Sequence, residues 1–385
     1  MPRPVRPRTL QLEASSFCQL RCPSCPTTQG TIHPAVGSGF LNPEDFARLL
    51  DQNPDLRAVE LSNNGEIFLN PKLLAILQLA RARGVTITAG NGANLNSVRE
   101  EVLEGLVKYR LRTITCSIDG ASQETYQRYR VRGNFARVIG NIRRINHWKQ
   151  HYQSEFPRLC WQFVVFGHNE HELETARRMA AELNMGFVAK LSWDEELSPP
   201  RNPDAVRAAT GGYASRSEFR ARTGVDYMRM ICNQLWDSPQ INWDGKVLGC
   251  CHNTWGEFGG NAFRDGLLPS VNGERIRHAR QMLLGRAEPR PDVPCSTCDI
   301  YQSMCATGRF MQRDDAAMGQ QFTLDEAVEL GAEWEAAGRR TDAGAVYRRV
   351  LGVDPDHAEA ARRLAALGGS HDAAAGVAPP AAGDG

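Results

Sequence analysis

The sequence predicts an α/β protein. Its core is a parallel sheet with helices outside it, curved into a partial (β/α)6 TIM-like barrel, followed by a small metal-held module and a helical hairpin. Three observations predict this. Residues 1–190 alternate short apolar runs with helical patterns six times, which is how βα units with parallel pairing read. Nine of the eleven cysteines gather in two sets, Cys18 to Cys25 and Cys232 to Cys305. Residues 324–357 place small and aromatic residues at the spacing of two packed helices.

The elements follow in order. Thr9 to Glu13 reads as the first strand. Asn42-Pro43-Glu44-Asp45 starts a helix, with a capping Asn, Pro in the first turn and acids against the dipole. Arg57 to Ser62 is strand two, Pro71 to Arg83 a helix, Val85 to Ala89 strand three, and Asn96 to Tyr109 a helix. Leu111 to Ile118 is strand four, followed by helices at Gln123 to Tyr129 and Phe135 to Gln150. Trp161 to Phe166 is strand five, Glu170 to Leu183 its helix, and Phe187 to Leu191 strand six. Sites on such sheets lie at the C-terminal ends of the strands. Residues 195–225 read as loop, and 230–310 as an irregular module with too little periodic apolar surface for an ordinary core.

Composition narrows the function. The 385 residues (42.6 kDa) exceed one ordinary domain, and 42% hydrophobic with 23% charged residues is a globular balance. A net charge of +1 gives no reason to expect a nucleic-acid or anionic-membrane partner. No apolar run reaches the ~20 residues of a membrane helix. Met1 to Arg8 is rich in Arg and Pro and leads into no apolar signal region, so a cytoplasmic location is expected. Disulfides do not persist there, and metal is the alternative use of clustered cysteines.

Cys18-Gln-Leu-Arg-Cys22-Pro-Ser-Cys25 follows directly on strand one. Three thiolates on one short loop suit a 4Fe-4S cluster with one iron left open, or zinc. A structural zinc site needs a fourth ligand, and His33 is the nearest candidate. Cys116 and Cys160, each beside an apolar run, read as small buried hydrophobes.

This spacing resembles the radical S-adenosylmethionine (SAM) superfamily, and the resemblance runs from about residue 8 to 192. Asn64-Gly65-Glu66 after strand two looks like the family's GGE motif, which implies contact with the methionine amino group of SAM. Asn91-Gly92-Ala93-Asn94-Leu95 is similar to the family's T-N-G-x-x-L segment after strand three. Ser117-Ile118-Asp119-Gly120 with Thr125-Tyr126 and Arg130 resembles its S-I-D-G…T-Y-x-x-x-R stretch, where a Ser and an Arg contact ribose and carboxylate. Gln162 to Val165 with Asn169-Glu170 resembles the segment that lines the adenine. Ser24 stands where the family usually carries an aromatic residue. The resemblance thus implies Cys18, Cys22 and Cys25 as cluster ligands, and Asn64, Gly65, Glu66, Ser117, Arg130 and Asn169 as SAM contacts.

Cys232, Cys250, Cys295 and Cys298, with Ile241-Asn242-Trp243-Asp244-Gly245, resemble the twitch domain, a shortened SPASM domain. That implies a second, fully ligated 4Fe-4S cluster and leaves Cys251 and Cys305 over. Leu330, Gly331, Trp334, Gly338, Ala343, Tyr347, Leu351 and Pro355 resemble one tetratricopeptide repeat, which is expected to dock on the rest of the chain or on a protein partner. The expected domains are 1–195, 196–320 and 321–368, with a disordered tail over 369–385. The expected activity is reductive cleavage of SAM to a 5′-deoxyadenosyl radical. That radical takes hydrogen from a small polar metabolite (a sugar, aminocyclitol or nucleoside) and the auxiliary cluster assists its oxidation. The alternative is a peptide-modifying or epimerising enzyme. A flavodoxin or ferredoxin is the expected electron donor. Lys190, Trp193, Asp194 and Glu195 are candidates for the barrel mouth, and Cys305 for a hydrogen donor.

Overall fold

The computed structural model describes residues 4–312, 324–336, 338, 340–354 and 357–367. They divide after residue 319 into two compact units, each considered by itself.

In the first unit the strands β1 (Thr9–Leu12), β2 (Ala58–Glu60), β3 (Thr86–Ala93), β4 (Thr113–Ser117), β5 (Arg158–Val165) and β6 (Met185–Leu191) pair in parallel in chain order. Alternation sets their faces. Leu159, Trp161, Phe163 and Val165 point outward into the apolar layer under the helices, while Cys160 and Gln162 face the concave side. On β4, Ile114 and Cys116 are fully buried on the outside and Thr115 and Ser117 turn inward. The concave face is polar, so it forms a lumen and not a second core.

The covering helices are α1 (Pro43–Gln52), α2 (Leu73–Ala82), α3 (Glu100–Lys108), α4 (Gln123–Tyr129), α5 (Phe135–His151) and α6 (Leu173–Glu182). In α1 the Asn42 side chain accepts from Glu44 N, and Phe46, Leu49 and Leu50 form the buried stripe. Each such side chain contributes about 1.5–3 kcal/mol on burial. Ser122 and Asn134 cap α4 and α5 through Thr125 N and Arg137 N.

Three readings need correction. The strand β3 runs on through Ala93, so Asn91 and Gly92 lie within it; a register irregularity between Ala89 and Ala93 carries the extra residues. Residues 195–225 are not all loop: α7 (Pro203–Ala209) and α8 (Arg216–Thr223) lie there, capped by Asn202 and Ser215. Each buries only one residue, Val206 or Phe219, so neither has an apolar period to read. The predicted helix from Glu170 begins as a 3-10 turn over Glu170–Glu172 before α6.

The barrel does not close through β6. The free edge of β1 pairs in parallel with β7 (Gln240–Ile241), which forms an antiparallel hairpin with β8 (Val247–Gly249). The cysteine-rich module therefore extends the barrel sheet and covers the β1 edge. Two helices that matter below follow in it, α9 (Glu274–Leu283) and α10 (Asp299–Thr307).

In the second unit, α11 (Leu324–Ala336) and α12 (Arg340–Val353) pack together, and α13 (Ala358–Ala366) packs on α12. Val328, Ala343, Tyr347, Val350 and Ala360 form its small core. Gly331 is required there, since a Cβ would come within 2.5 Å of the Tyr347 ring. Pro355, the side chain of Leu330 and the expected tail over 369–385 lie outside the described residues.

Candidate functional site

The cysteine loop sits over the lumen at the C-terminal ends of the strands. Cys22 is buried among Leu20, Tyr129, Val164 and Phe166, and Cys18 and Cys25 pack against the same group. Burial pushes the Cys18 thiol up to about 12, and neighbouring Glu66, Cys22 and Cys25 push in the same direction. Burial also raises Cys22, against the pull of the Arg130 charge. His33 is exposed and its Nδ1 accepts from Ala35 N, so the structure does not bring it to the three thiols.

The donors around the thiols come from distant strands. Arg130 Nη1 donates to Cys22 Sγ at 3.6 Å, and Asn94 Nδ2 to Cys18 Sγ at 3.8 Å. Arg130 is held from behind, Nε to Asp119 Oδ2 at 2.6 Å, and Asp119 Oδ1 accepts from Val164 N at 2.7 Å. Asp119 is fully buried, and burial raises it while Arg130 opposes. Ser24, in place of the expected aromatic residue, donates Oγ to Asp194 Oδ2 at 2.6 Å, and Trp193 Nε1 donates to Ser24 O at 3.3 Å. Trp193 and Asp194 thus brace the cysteine loop, while Glu195 Oε1 accepts from Ser217 N at 2.8 Å.

Glu66 is buried, and desolvation lifts its carboxyl to about 7 although Asn94 N donates to Oε2 at 2.6 Å. Gly65 has no room for a side chain: a Cβ would lie 2.0 Å from Ser15 O. Asn64 N and Gly65 N donate to Glu13, at 3.0 Å to Oε2 and 3.4 Å to Oε1. Gly92, at φ +132°, lets Ser117 Oγ come within 2.5 Å of where a Cβ would stand. Asn169 is fully buried and its amide is committed to the fold, accepting from Phe166 N at 2.7 Å and donating to Val164 O and Asp119 O. It ties the ends of β4 and β5 together and does not present itself to a ligand, unlike the expectation. Glu13, Glu60 and Asp119 were not singled out by sequence as site residues. Each is a buried acid at a strand end whose oxygens gather backbone or side-chain donors, and a lone acid at a strand end carries no distinguishing pattern.

These residues fit both a 4Fe-4S cluster and SAM. Three thiols share one patch with hydrogen-bond donors aimed at two of the sulfurs. At the strand ends the buried Gln162 Oε1 and Asn63 Nδ2 have no partner within the protein.

The second cysteine set converges likewise. Cys232, Cys250, Cys295 and Cys298 line one cavity walled by Leu235, Phe258, Leu283 of α9 and Pro294. Burial raises all four thiols, to about 12 for Cys250 and about 11 for Cys298. Four soft donors on an apolar wall fit a fully ligated iron–sulfur cluster. Among the described residues, one group of three packs more tightly, His252, Cys298 and Asp299, and it borrows a thiol from this set. Cys305 is exposed on α10 beside Tyr301. Cys251, next in the chain to Cys250, is half-buried; its N donates to Gln234 Oε1 at 2.7 Å, and Glu60 of β2 and Lys190 of β6 lie within electrostatic reach. Cys116 is fully buried as expected, whereas Cys160 lies on the lumen face beside Lys190.

The fold and the two cysteine sites define a class, an enzyme that handles SAM at an iron–sulfur cluster. Residues 12–180 match the radical SAM superfamily, and residues 232–299 match SPASM, the iron-sulfur cluster-binding domain. The protein is a radical SAM enzyme with a SPASM domain, and its cofactors are 4Fe-4S clusters and SAM. It is 24% identical over 268 residues to the AdoMet-dependent heme synthase of Methanosarcina barkeri (strain Fusaro / DSM 804), which covers 67% of this chain and 73% of that one. In fold it is similar to Streptococcus suis SuiB bound to S-adenosylmethionine, with TM-score 0.54, 14% identity, and coverage of 77% of this chain and 69% of that chain. Another SuiB structure gives TM-score 0.55, 13% identity and coverage of 77% and 71%. No described helix is long and apolar enough to cross a membrane.

Proposed function

We propose that the enzyme oxidises a small polar metabolite by two electrons, with the substrate held in the lumen between the two cysteine sites. The observation that carries this reading is the adjacency of Cys250 and Cys251. Cys250 lines the auxiliary cavity, and Cys251 lies within electrostatic reach of Glu60 and Lys190 at the ends of β2 and β6. A substrate in the lumen is therefore one residue removed from the auxiliary site. When bound, the cluster with an open iron supplies SAM cleavage and a hydrogen-abstracting radical, and the fully ligated cluster supplies an electron acceptor.

The chain's own residues hold the groups in place. Cys18, Cys22 and Cys25 hold the first cluster, and Cys232, Cys250, Cys295 and Cys298 the second. Glu66, the Asn64-Gly65 backbone, Ser117 and Gln162 cradle SAM, and Arg130 acts through the Cys22 sulfur. The segment after the cysteine loop is strapped to the SPASM hairpin. Asn242 Nδ2 donates to Val36 O at 2.7 Å, Lys246 Nζ to Ala35 O at 2.8 Å, and His33 N to Thr254 O at 2.8 Å. These straps fix that segment against the SPASM module. A flavodoxin or ferredoxin supplies the electron. The helices α11 to α13 form a tetratricopeptide-like unit for a protein partner, supported by the packing of Gly331 on Tyr347.

The test is anaerobic turnover with candidate sugars, cyclitols and nucleosides carrying a carboxylate, a phosphate or neither. A product two hydrogens lighter, with one 5′-deoxyadenosine per turnover, is expected. A product of unchanged mass that carries one solvent deuterium would show epimerisation instead.

A further inference from the structure

Lys190 and Arg216 both reach the C-terminal end of β6, and among the described residues neither forms an ion pair. Lys190 projects from the C-terminal end of β6, where its register partner is Val164 of β5. Val164 packs directly with Cys22, Leu20 and Tyr129, so Lys190 stands at the level of the cysteine loop. Lys190 is exposed to solvent, and neighbouring protein atoms still lower its pKa by desolvation. Among the described residues it has no ion pair or hydrogen bond. Its electrostatic neighbours are the Cys160 and Cys251 thiols, and the Arg216 charge, which lowers it further.

Arg216 enters from the first residue of α8. Its guanidinium lies over the Tyr227 ring at 4.9 Å and Nη2 reaches Leu191 O only at 3.5 Å. Its Nε is buried without a partner. Desolvation lowers its pKa too. Glu195, Asp226 and Asp299 lie within electrostatic reach of Arg216, but each meets another partner. Glu195 Oε1 accepts from Ser217 N, Asp226 Oδ1 from Met228 N, and Asp299 Oδ1 meets His252 Nε2 at 3.1 Å. None forms an ion pair with Arg216. Two like charges held near one another repel unless an anion joins them.

We propose that Lys190 and Arg216 form an anion subsite in the lumen, and that the substrate presents a carboxylate or a phosphate to it. Lys190 contributes a movable point charge, and Arg216 a planar fork suited to two oxygens. The inference rests on the substrate reading above and narrows it to anionic metabolites, excluding an uncharged cyclitol or nucleoside.

The test uses the anaerobically reconstituted enzyme and follows acylation of Lys190 by an amine-selective reagent, read by peptide mass spectrometry. Lys72, Lys108, Lys149 and Lys246 are internal references. Inorganic phosphate and propionate are compared with chloride at equal ionic strength, and SAM is added in a separate arm. Protection of Lys190 by about tenfold, the scale of one charge-assisted contact, is expected from one of the two anions, and which one protects identifies the substrate's group. Arg216→Gln should remove the protection, and Arg216→Lys, which keeps the charge, should retain most of it. Equal reactivity in all three salts overturns the subsite. So does full protection by SAM alone, which would assign the two cations to the cofactor. 5′-Deoxyadenosine formation by the unaltered enzyme is measured in the same preparation. Its absence would defeat the functional reading while leaving the protection result to stand or fall by itself.

Discussion

Arg130 and Cys22, 108 residues apart in the chain, meet at 3.6 Å with the guanidinium donating to the sulfur. Asp119 makes this contact specific. It fixes Nε from the far side and is itself fixed by Val164 N, so the ends of β4 and β5 and the cysteine loop share one charged joint. The joint is almost wholly desolvated, with the Arg130 side chain 12% exposed and Asp119 at 0%.

Breaking that joint from one side should be costly. Asp119→Ala leaves a buried guanidinium unpaired, and a loss of about 3–5 kcal/mol in unfolding free energy is expected. Chemical denaturation of the cluster-free chain measures it. A change below about 1 kcal/mol, the scale of exposed pairs, would show that water reaches Arg130.

The two cysteine sites should be separable. Changing Cys18, Cys22 and Cys25 together to Ala should abolish 5′-deoxyadenosine formation and leave the iron of the second cluster in place. Cys298→Ala should do the reverse to the iron, and Cys305→Ala should change neither. Iron analysis with electron paramagnetic resonance reads all three. SAM cleavage retained in the triple variant would contradict the assignment.

Glu13 should govern part of the pH dependence of stability. Burial lifts its carboxyl from 4.5 to about 7 in the folded chain, against donors from Asn64 N and Gly65 N. The folded state therefore binds the proton more tightly than the unfolded state. The favourable contribution is complete below about pH 4.5 and is lost as pH rises through about 7. The full span is on the order of 3 kcal/mol. Glu13→Gln should flatten that decline between these two pH values in urea midpoints of the cluster-free chain. An unchanged slope would mean that other groups carry it.

Gly65→Ala should disturb the SAM cradle. Its Cβ would meet backbone, not a side chain that can swing away, so the β2–β3 connection must shift. A loss of about 1–3 kcal/mol is expected, as for overpacking. SAM affinity, measured by equilibrium dialysis, should fall as well. Wild-type affinity in a stable variant would remove this backbone from the cofactor site.

Much of the molecule was determined by the sequence alone, because the signals were local. Cysteine spacing depends on a few residues of loop, caps such as Asn42 and Ser122 act within one turn, and outward strand positions such as Leu159, Trp161 and Phe163 follow the two-residue period. The tertiary structure decided what lacked any local signal. The two-residue strand β7 has no period to read, and it joins β1 only because that edge is free and 228 residues or more of chain have folded back to it. The helices α7 and α8 are too polar to announce themselves. Asn169 is the same in sequence whether its amide meets a ligand or its own backbone. Cys250 and Cys251 are indistinguishable by spacing, and only the turn after β8 decides that Cys250 lines the auxiliary cavity. Lys190 and Arg216 come from separate elements, and only the return of α8 to the end of β6, where Arg216 Nη2 reaches Leu191 O, makes neighbours of two like charges that sequence order keeps apart.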